Sequence, residues 1–268
     1  MKRIILCFAG LCMLFTACDT IEDRDELGSI LSKEQLDKEG ALEIIQKTPG
    51  SNSLIFKSNV PNVISYWEWN GGYSNKNVAE VYIPFGGTFT ITYTAFCDGG
   101  TVSTTRTFTI AKNDPTFFEK DPAWYGLTGG GNGKTWVWAT DANDPTKKIA
   151  GNGPVGCVKP EWWTLDANNA DITKPVINDE VYMDLKGSAN FVYTKADGSK
   201  VKAFFNVLNG APFVDGESKY SAFEVLGGHF PWPAVSKYHI TNMTDDELSI
   251  HEYGAYNVAM YKRKGFTY

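Results

Sequence analysis

The stretch "GTFTITYTAF", residues 87–96, alternates residue by residue. Phe89, Ile91, Tyr93 and Ala95 fall on one side with Cys97, and Thr90, Thr92 and Thr94 fall on the other. Successive side chains of a strand point to opposite faces, so this pattern specifies an antiparallel strand with one face buried. Asp98-Gly99-Gly100 then reads as a turn, and "TVSTTRTFTI" returns as the second strand of a hairpin. Upstream, "ISYWEWNGGYS" sets Trp67 and Trp69 on one parity before a glycine turn. The same short segments recur downstream as "KTWVWAT", "EVYMDL", "ANFVYT", "KAFFNVL", "KYHITNM", "ELSIHEY" and "YNVAMYKR". Turns at Asp197-Gly198, Asn209-Gly210 and Gly227-Gly228 fall between them, and no helical period is sustained after residue 50. The chain is therefore expected to be all-β. Asn113-Asp114-Pro115 breaks the pattern and separates a first domain, 41–112, from a second, 115–268. For the second domain a jelly-roll-like β-sandwich is expected, with a closed barrel as the alternative.

The N-terminus has a different composition. Lys2 and Arg3 precede an apolar run, Ile4 to Ala17, that is shorter than the roughly 20 residues needed to span a bilayer. Residues 1–17 read as an export signal. Residues 18–40 are charged and poor in aromatics, the composition of a tether. Within them Ser32 and Gln35 have capping-box spacing, which predicts a short helix over Ser32 to Lys38. Once the signal is removed, Cys18, Cys97 and Cys157 remain of five cysteines, too few for a disulfide scaffold. Cys97 and Cys157 read as small buried apolar residues. The formal net charge is −6 and there is no basic stripe, so nucleic acid is not expected as a partner.

Few patterns point to chemistry. "TGGGNGKTW", residues 128–136, ends in Gly-Lys-Thr as a phosphate-binding loop does, but Thr128 stands where the first glycine is needed. The residues after Thr135, "WVWAT", are β-rich and not the helix whose N-terminus would hold phosphate. Gly129 to Gly133 read instead as the turn leading from the first domain into the first strand of the second. His229, His239 and His251 lack metal-ligand spacing, no calcium loop is evident, and no cofactor is expected. There is no Gly-x-Ser-x-Gly elbow. Glu180 and Asp184 share a strand face without a carboxylate between them, and Glu247 and Glu252 lie on opposite faces. No catalytic residue is assigned, although carboxylates from separate strands leave a glycoside hydrolase as an alternative.

Aromatic residues make up 14% of the chain, with eight tryptophans. A flat aromatic ring stacks on the CH face of a sugar, while carboxylates and carboxamides bind the hydroxyls. Trp69, Trp136 and Trp138 read as core. Trp124 reads as closing the entrance to the second domain. Trp162 and Trp163 lie in a Gly/Pro-bounded segment with Glu161, Asp166, Asn168 and Asn169. Trp232 is held between Pro231 and Pro233, which stiffens a loop. The candidate carbohydrate-binding residues are Trp162, Trp163, Trp232, Glu161, Asp166 and Asn168.

Several segments resemble known families. Leu14-Phe15-Thr16-Ala17-Cys18 resembles a bacterial lipobox, which implies lipidation of Cys18 and a membrane anchor. The acidic residues after Cys18 resemble the export signal for outer-face lipoproteins of Bacteroidetes. Trp69-Asn70-Gly71-Gly72, followed by "FGGTFTITYTAFCDGG" and a Thr-rich strand, resembles a PKD domain, a small immunoglobulin-like sandwich. "YHITNMTDDELSIHEY" with a closing strand resembles lipocalin-like barrels. In order along the chain, the lipobox, the tether, "SNSLIFKSNVPNVISYWEW", "DPAWYGLTGGGNGKTWVW" and "DEVYMDLKGSANFVY" resemble PKD-containing surface lipoproteins of polysaccharide-utilisation loci. These occupy the position of SusE/SusF-like surface glycan-binding proteins. The resemblance implies an outer-membrane, lipid-anchored, non-catalytic binder of polysaccharide or oligosaccharide beside a SusC/SusD-like transporter. A structural or interaction lipoprotein is a further alternative.

Overall fold

The computed structural model describes residues 31–208 and 221–268. The signal expected over 1–17, Cys18 and the turn at Asn209-Gly210 lie outside the described residues. The fold is all-β, with three short helices and one 3₁₀ turn among the described residues. No helix among them is long and apolar enough to cross a membrane. Two compact units can be distinguished. One is the described part of Met1–Glu43 with Phe56–Ala79 and Ile91–Arg106; the other is Ile44–Ile55, Glu80–Thr90 and Thr107–Tyr268.

The predicted short helix is present as α1 (Lys33–Asp37), and its capping box is complete: Gln35 N–H donates to Ser32 Oγ and Ser32 N–H to Gln35 Oε1. Seven strands come next: β1 (Leu42–Gln46), β2 (Ser53–Ser58), β3 (Ile64–Trp69), β4 (Gly72–Ser74), β5 (Val78–Tyr82), β6 (Gly87–Cys97) and β7 (Gly100–Ile110). They form two sheets, β1-β2-β5 and β4-β3-β6-β7. Phe89, Ile91, Tyr93 and Ala95 of β6 are buried, as the alternation requires. Trp67 is fully buried, with its ring 5.7 Å from Phe56 of the other sheet and 4.5 Å from Tyr93. Trp69 is half-buried, edge-on to Phe56. The Tyr93 hydroxyl lies between Ser58 and Ser65 at 2.8 and 3.0 Å, so these buried hydroxyls satisfy one another within the core. Part of the expected tether is docked here. Leu36 is buried, and Arg106 donates to the Leu36 carbonyl and the Asp37 carboxylate, each at 2.8 Å.

After β7 come α2 (Pro115–Phe118) and α3 (Ala123–Thr128). Asp114 caps α2 by accepting from Thr116 N–H, with Pro115 at the first helical position. The glycines from 129 to 133 therefore do not lead from one domain straight into a strand. They end α3: Gly129 takes the left-handed conformation at φ 60°, and its N–H returns to the Tyr125 carbonyl. Lys134 is the first residue of β8 (Lys134–Trp138), and its ammonium donates to the Gly126 carbonyl at 2.8 Å.

The remaining strands are β9 (Ala150–Asn152), β10 (Trp163–Leu165), β11 (Glu180–Asp184), β12 (Asn190–Thr194), β13 (Lys200–Leu208), β14 (Ala222–Leu226), β15 (Lys237–Met243), β16 (Glu247–Glu252) and β17 (Asn257–Arg263). β11 to β17 pair consecutively and antiparallel, and β8 pairs with both β11 and β17. The sheet closes on itself as an eight-stranded up-and-down barrel. This is the closed barrel expected as the alternative, and it corrects the jelly roll expected first. A jelly roll needs Greek-key crossovers between two sheets, whereas each strand from β11 onward pairs with its neighbour in sequence. All seven segments marked by alternation became barrel strands; "AFEVL", now β14, was the one overlooked.

The barrel interior is filled. Trp136, Trp138, Phe191, Phe205, Phe223, Phe230, Tyr238 and Tyr261 are buried in one cluster with Phe118, Trp124 and Leu127 from the helices. Consecutive antiparallel strands send alternate connections to opposite ends. Residues 139–179, 195–199, 227–236 and 253–256 therefore emerge together at a loop end, while α3 and the turns at 185–189 and 244–246 mark a helix end.

Candidate functional site

The loop end carries a group of exposed aromatics. Trp162 is 62% exposed, Tyr256 55% and Trp163 43%. The rings of Trp162 and Tyr256 are 5.5 Å apart and tilted by 51°. Asn152 at the end of β9 fixes this arrangement. Its carbonyl accepts from Glu161 N–H and Trp162 N–H at 3.0 and 2.9 Å, and its side-chain oxygen accepts from Trp163 N–H at 3.0 Å. Three consecutive backbone donors thus end on one residue. β9 in turn pairs with β17, in which Asn257 faces Asn152, and Gly153 N–H donates to the Tyr256 carbonyl. Tyr256 is brought to Trp162 by that pairing.

A glycine at 151 makes the close approach possible. A Cβ there would lie 1.9 Å from the Trp163 carbonyl oxygen, well inside contact distance. Below the platform, Cys157 and Pro160 are buried, and Cys157 Sγ is 3.7 Å from His251 Nε2. Burial, with Glu161 adding to it, pushes the Cys157 thiol up to about 11, so it stays protonated at neutral pH. Cys97 is half-buried, and both thiols are free.

The structure gathers only part of the predicted set. Glu161, Trp162 and Trp163 are exposed side by side. Asp166 and Asn168 belong to the turn after β10 and serve that turn. Asp166 accepts from Asn168 N–H at 2.9 Å and pairs with Lys148 at 3.1 Å. That backbone hydrogen bond, helped by Lys148, holds the Asp166 carboxyl below the usual carboxylate range. Trp232 is half-buried and packs on the barrel core. Its backbone is clamped by the buried Tyr261 hydroxyl, which accepts from Trp232 N–H at 3.3 Å and donates to its carbonyl at 2.6 Å. Trp232 emerges at the same end as Trp162, but as a wall residue. Tyr256 was missed by sequence reasoning. Its signal was its place in "EYGAYN", a glycine turn between two strands, where a large ring has little core to enter.

Among the described residues, no group of three or more His, Cys, Asp or Glu side chains is placed to hold a metal ion. The arrangement at the loop end suits stacking and hydrogen bonding: the exposed Trp162 and Tyr256 rings in contact, the exposed Trp163 next in sequence, and a carboxylate at Glu161.

No protein-family model matches the chain. No curated protein matches it either. One similar solved structure is the PKD1 domain of Vibrio anguillarum Epp, 24% identical over 26% of this chain and 92% of that chain, with a TM-score of 0.22. The topology by itself defines the class: an all-β chain with a two-sheet, immunoglobulin-like sandwich followed by an up-and-down barrel.

Proposed function

We propose that this chain is a non-catalytic carbohydrate-binding protein of the cell surface, with a PKD-like sandwich as spacer and the barrel as binding domain. The observation that carries this reading is the exposed Trp162–Tyr256 pair at the loop end. Three large rings left in water, in a chain that buries Trp124, Trp136 and Trp138, have a use outside the fold. A pyranose ring offers a CH face to such rings and hydroxyls to Glu161. The lipobox-like Cys18 supports anchorage in an outer membrane, and the acidic residues after it support display on the outer face beside a transporter.

Affinity gel electrophoresis against a panel of polysaccharides tests the reading. The wild-type chain is expected to be retarded by at least one of them. Trp162→Ala with Tyr256→Ala should abolish that retardation and leave the circular dichroism spectrum unchanged. Undiminished retardation of the double variant would place the site elsewhere, and retardation by no glycan would end the carbohydrate reading.

A further inference from the structure

The Trp162–Tyr256 pair has a definite shape as well as exposed area. Both residues are more than half exposed, so packing the two rings together still leaves an outer face of each in water. The ring centroids are 5.5 Å apart and the ring planes are inclined by 51°. No single plane therefore lies flush against both rings.

The backbone supports that inclination from both sides. On one side, the Asn152 carbonyl at the end of β9 accepts from Trp162 N–H at 2.9 Å. On the other, Tyr256 closes the turn between β16 and β17. Ala255 N–H donates to the Glu252 carbonyl at 3.2 Å, and Asn257 Nδ2 donates to the Glu252 carboxylate at 2.6 Å. The Tyr256 carbonyl accepts from Gly153 N–H at 3.1 Å, one residue beyond Asn152. Both residues are thus hung on the adjoining ends of β9 and β17, and each ring packs on the other.

The inclination selects among glycans by shape. A sugar stacks with its CH face parallel to an aromatic plane. Consecutive sugars of one chain can both stack here only if their rings are inclined to each other as the indole and the phenol are. Chains of β-1,4-linked pyranoses are extended ribbons whose successive rings lie nearly in one plane. Such a ribbon, or a crystal face built from ribbons, meets Trp162 or Tyr256 but not both. Chains joined by α-1,4 or β-1,3 bonds turn in one sense at every linkage and present successive rings at an angle. A lone ring makes no such distinction, so the selection needs the second one. We infer that the platform prefers a single, curved glycan chain to a flat ribbon, and that Tyr256 sets this preference. The inference rests on the carbohydrate-binding reading above and adds to it the shape of the chain that is recognised.

The experiment titrates the full chain by affinity gel electrophoresis with soluble glycans of the two shapes. Laminarin and glycogen serve as curved chains, hydroxyethyl cellulose and galactomannan as ribbons. Any further glycan that retards the chain is sorted by its backbone linkage into the same two groups. Ribbons are expected to bind at least about tenfold more weakly than the best curved chain, because one of two aromatic stacks is lost. The chain should also fail to sediment with microcrystalline cellulose. Tyr256→Ala removes the second ring, and it should weaken curved-chain binding by a similar factor and bring the two groups level. Tyr256→Phe keeps the ring and should keep the preference. Ribbons bound as tightly as curved chains, a preference that survives Tyr256→Ala, or one lost in Tyr256→Phe would overturn the inference and leave the carbohydrate reading standing. A wild-type chain that no glycan retards would overturn both.

Discussion

The two ends of the barrel use tryptophan in opposite ways. At the helix end, Trp124 is 3% exposed, wedged among Phe117, Phe118 and Phe205, and the buried Trp136 indole donates to the Leu127 carbonyl at the end of α3. At the loop end, Trp162 and Trp163 stand in water on a backbone frame set by Asn152. The difference lies in what covers each end. α2 and α3 give their apolar residues to the barrel core, so tryptophans there become structure. The loop end is roofed by backbone turns and prolines, and there Trp162 and Trp163 stay exposed while Trp232 packs on the core.

Substitutions at the two ends should separate these roles, and the largest effect is expected at the helix end. Trp124→Ala removes a buried indole from the core and should cost about 3–5 kcal/mol of unfolding free energy. Trp162→Ala removes a ring that is mostly in water and should stay within about 0.5 kcal/mol. Urea unfolding followed by circular dichroism measures both. Equal losses would erase the distinction between a structural end and a proposed binding end.

That distinction was only half visible in the sequence. Period-two alternation located seven barrel strands because strand pleating imposes it directly. It placed Trp136 and Trp138 inside for the same reason. It gave no guidance for Trp124, which lies in a six-residue helix too short to show a helical period. Barrel closure entered only as the alternative to a jelly roll, because the β8–β17 pairing joins residues more than a hundred positions apart and leaves no local mark. For the site, adjacency of Trp162 and Trp163 indicated that both indoles would not fit one core face, and that holds. Their partner Tyr256 is supplied by the β9–β17 pairing, which is not a sequence motif. Asp166 and Asn168 were chosen for their chemistry, but a turn after β10 uses that chemistry internally.

A smaller effect is expected from the frame of the platform. Gly151→Ala puts a methyl group against the Trp163 carbonyl, and backbone cannot step aside as a side chain can. The cost should be about 1–3 kcal/mol, comparable to overpacking a core. It should be accompanied by a shift in tryptophan fluorescence, because β10 must move off β9. Loss of stability without any spectral change would mean that the strain is absorbed away from Trp162 and Trp163, and that Asn152 does not hold the platform.

The smallest effect concerns pH, and it too belongs to one end only. No histidine lies in residues 115–138, whereas His239 and His251 face each other across β15 and β16 and are both buried. Tyr253 stacks on His239 at 4.4 Å, Cys157 meets His251 at 3.7 Å, and Glu252 is the neighbouring carboxylate. Burial holds both imidazoles below the ordinary histidine value, with the charge of His251 as a lesser cause at His239. Unfolded histidine binds its proton near pH 6.5, while these two stay neutral in the fold until the pH is lower. In that window the unfolded chain holds more protons, so stability falls as pH drops through about 6.5 and is intact above it. The urea midpoint should therefore decrease between about pH 7.5 and pH 5.5, and His239→Gln with His251→Gln should flatten the decrease. Because Cys157 and the 153–162 segment rest on His251, Trp162 fluorescence should respond before the circular dichroism of the barrel does. A midpoint independent of pH across that window, or an equal slope in the double variant, would mean that the loop end is no more sensitive to protons than the helix end.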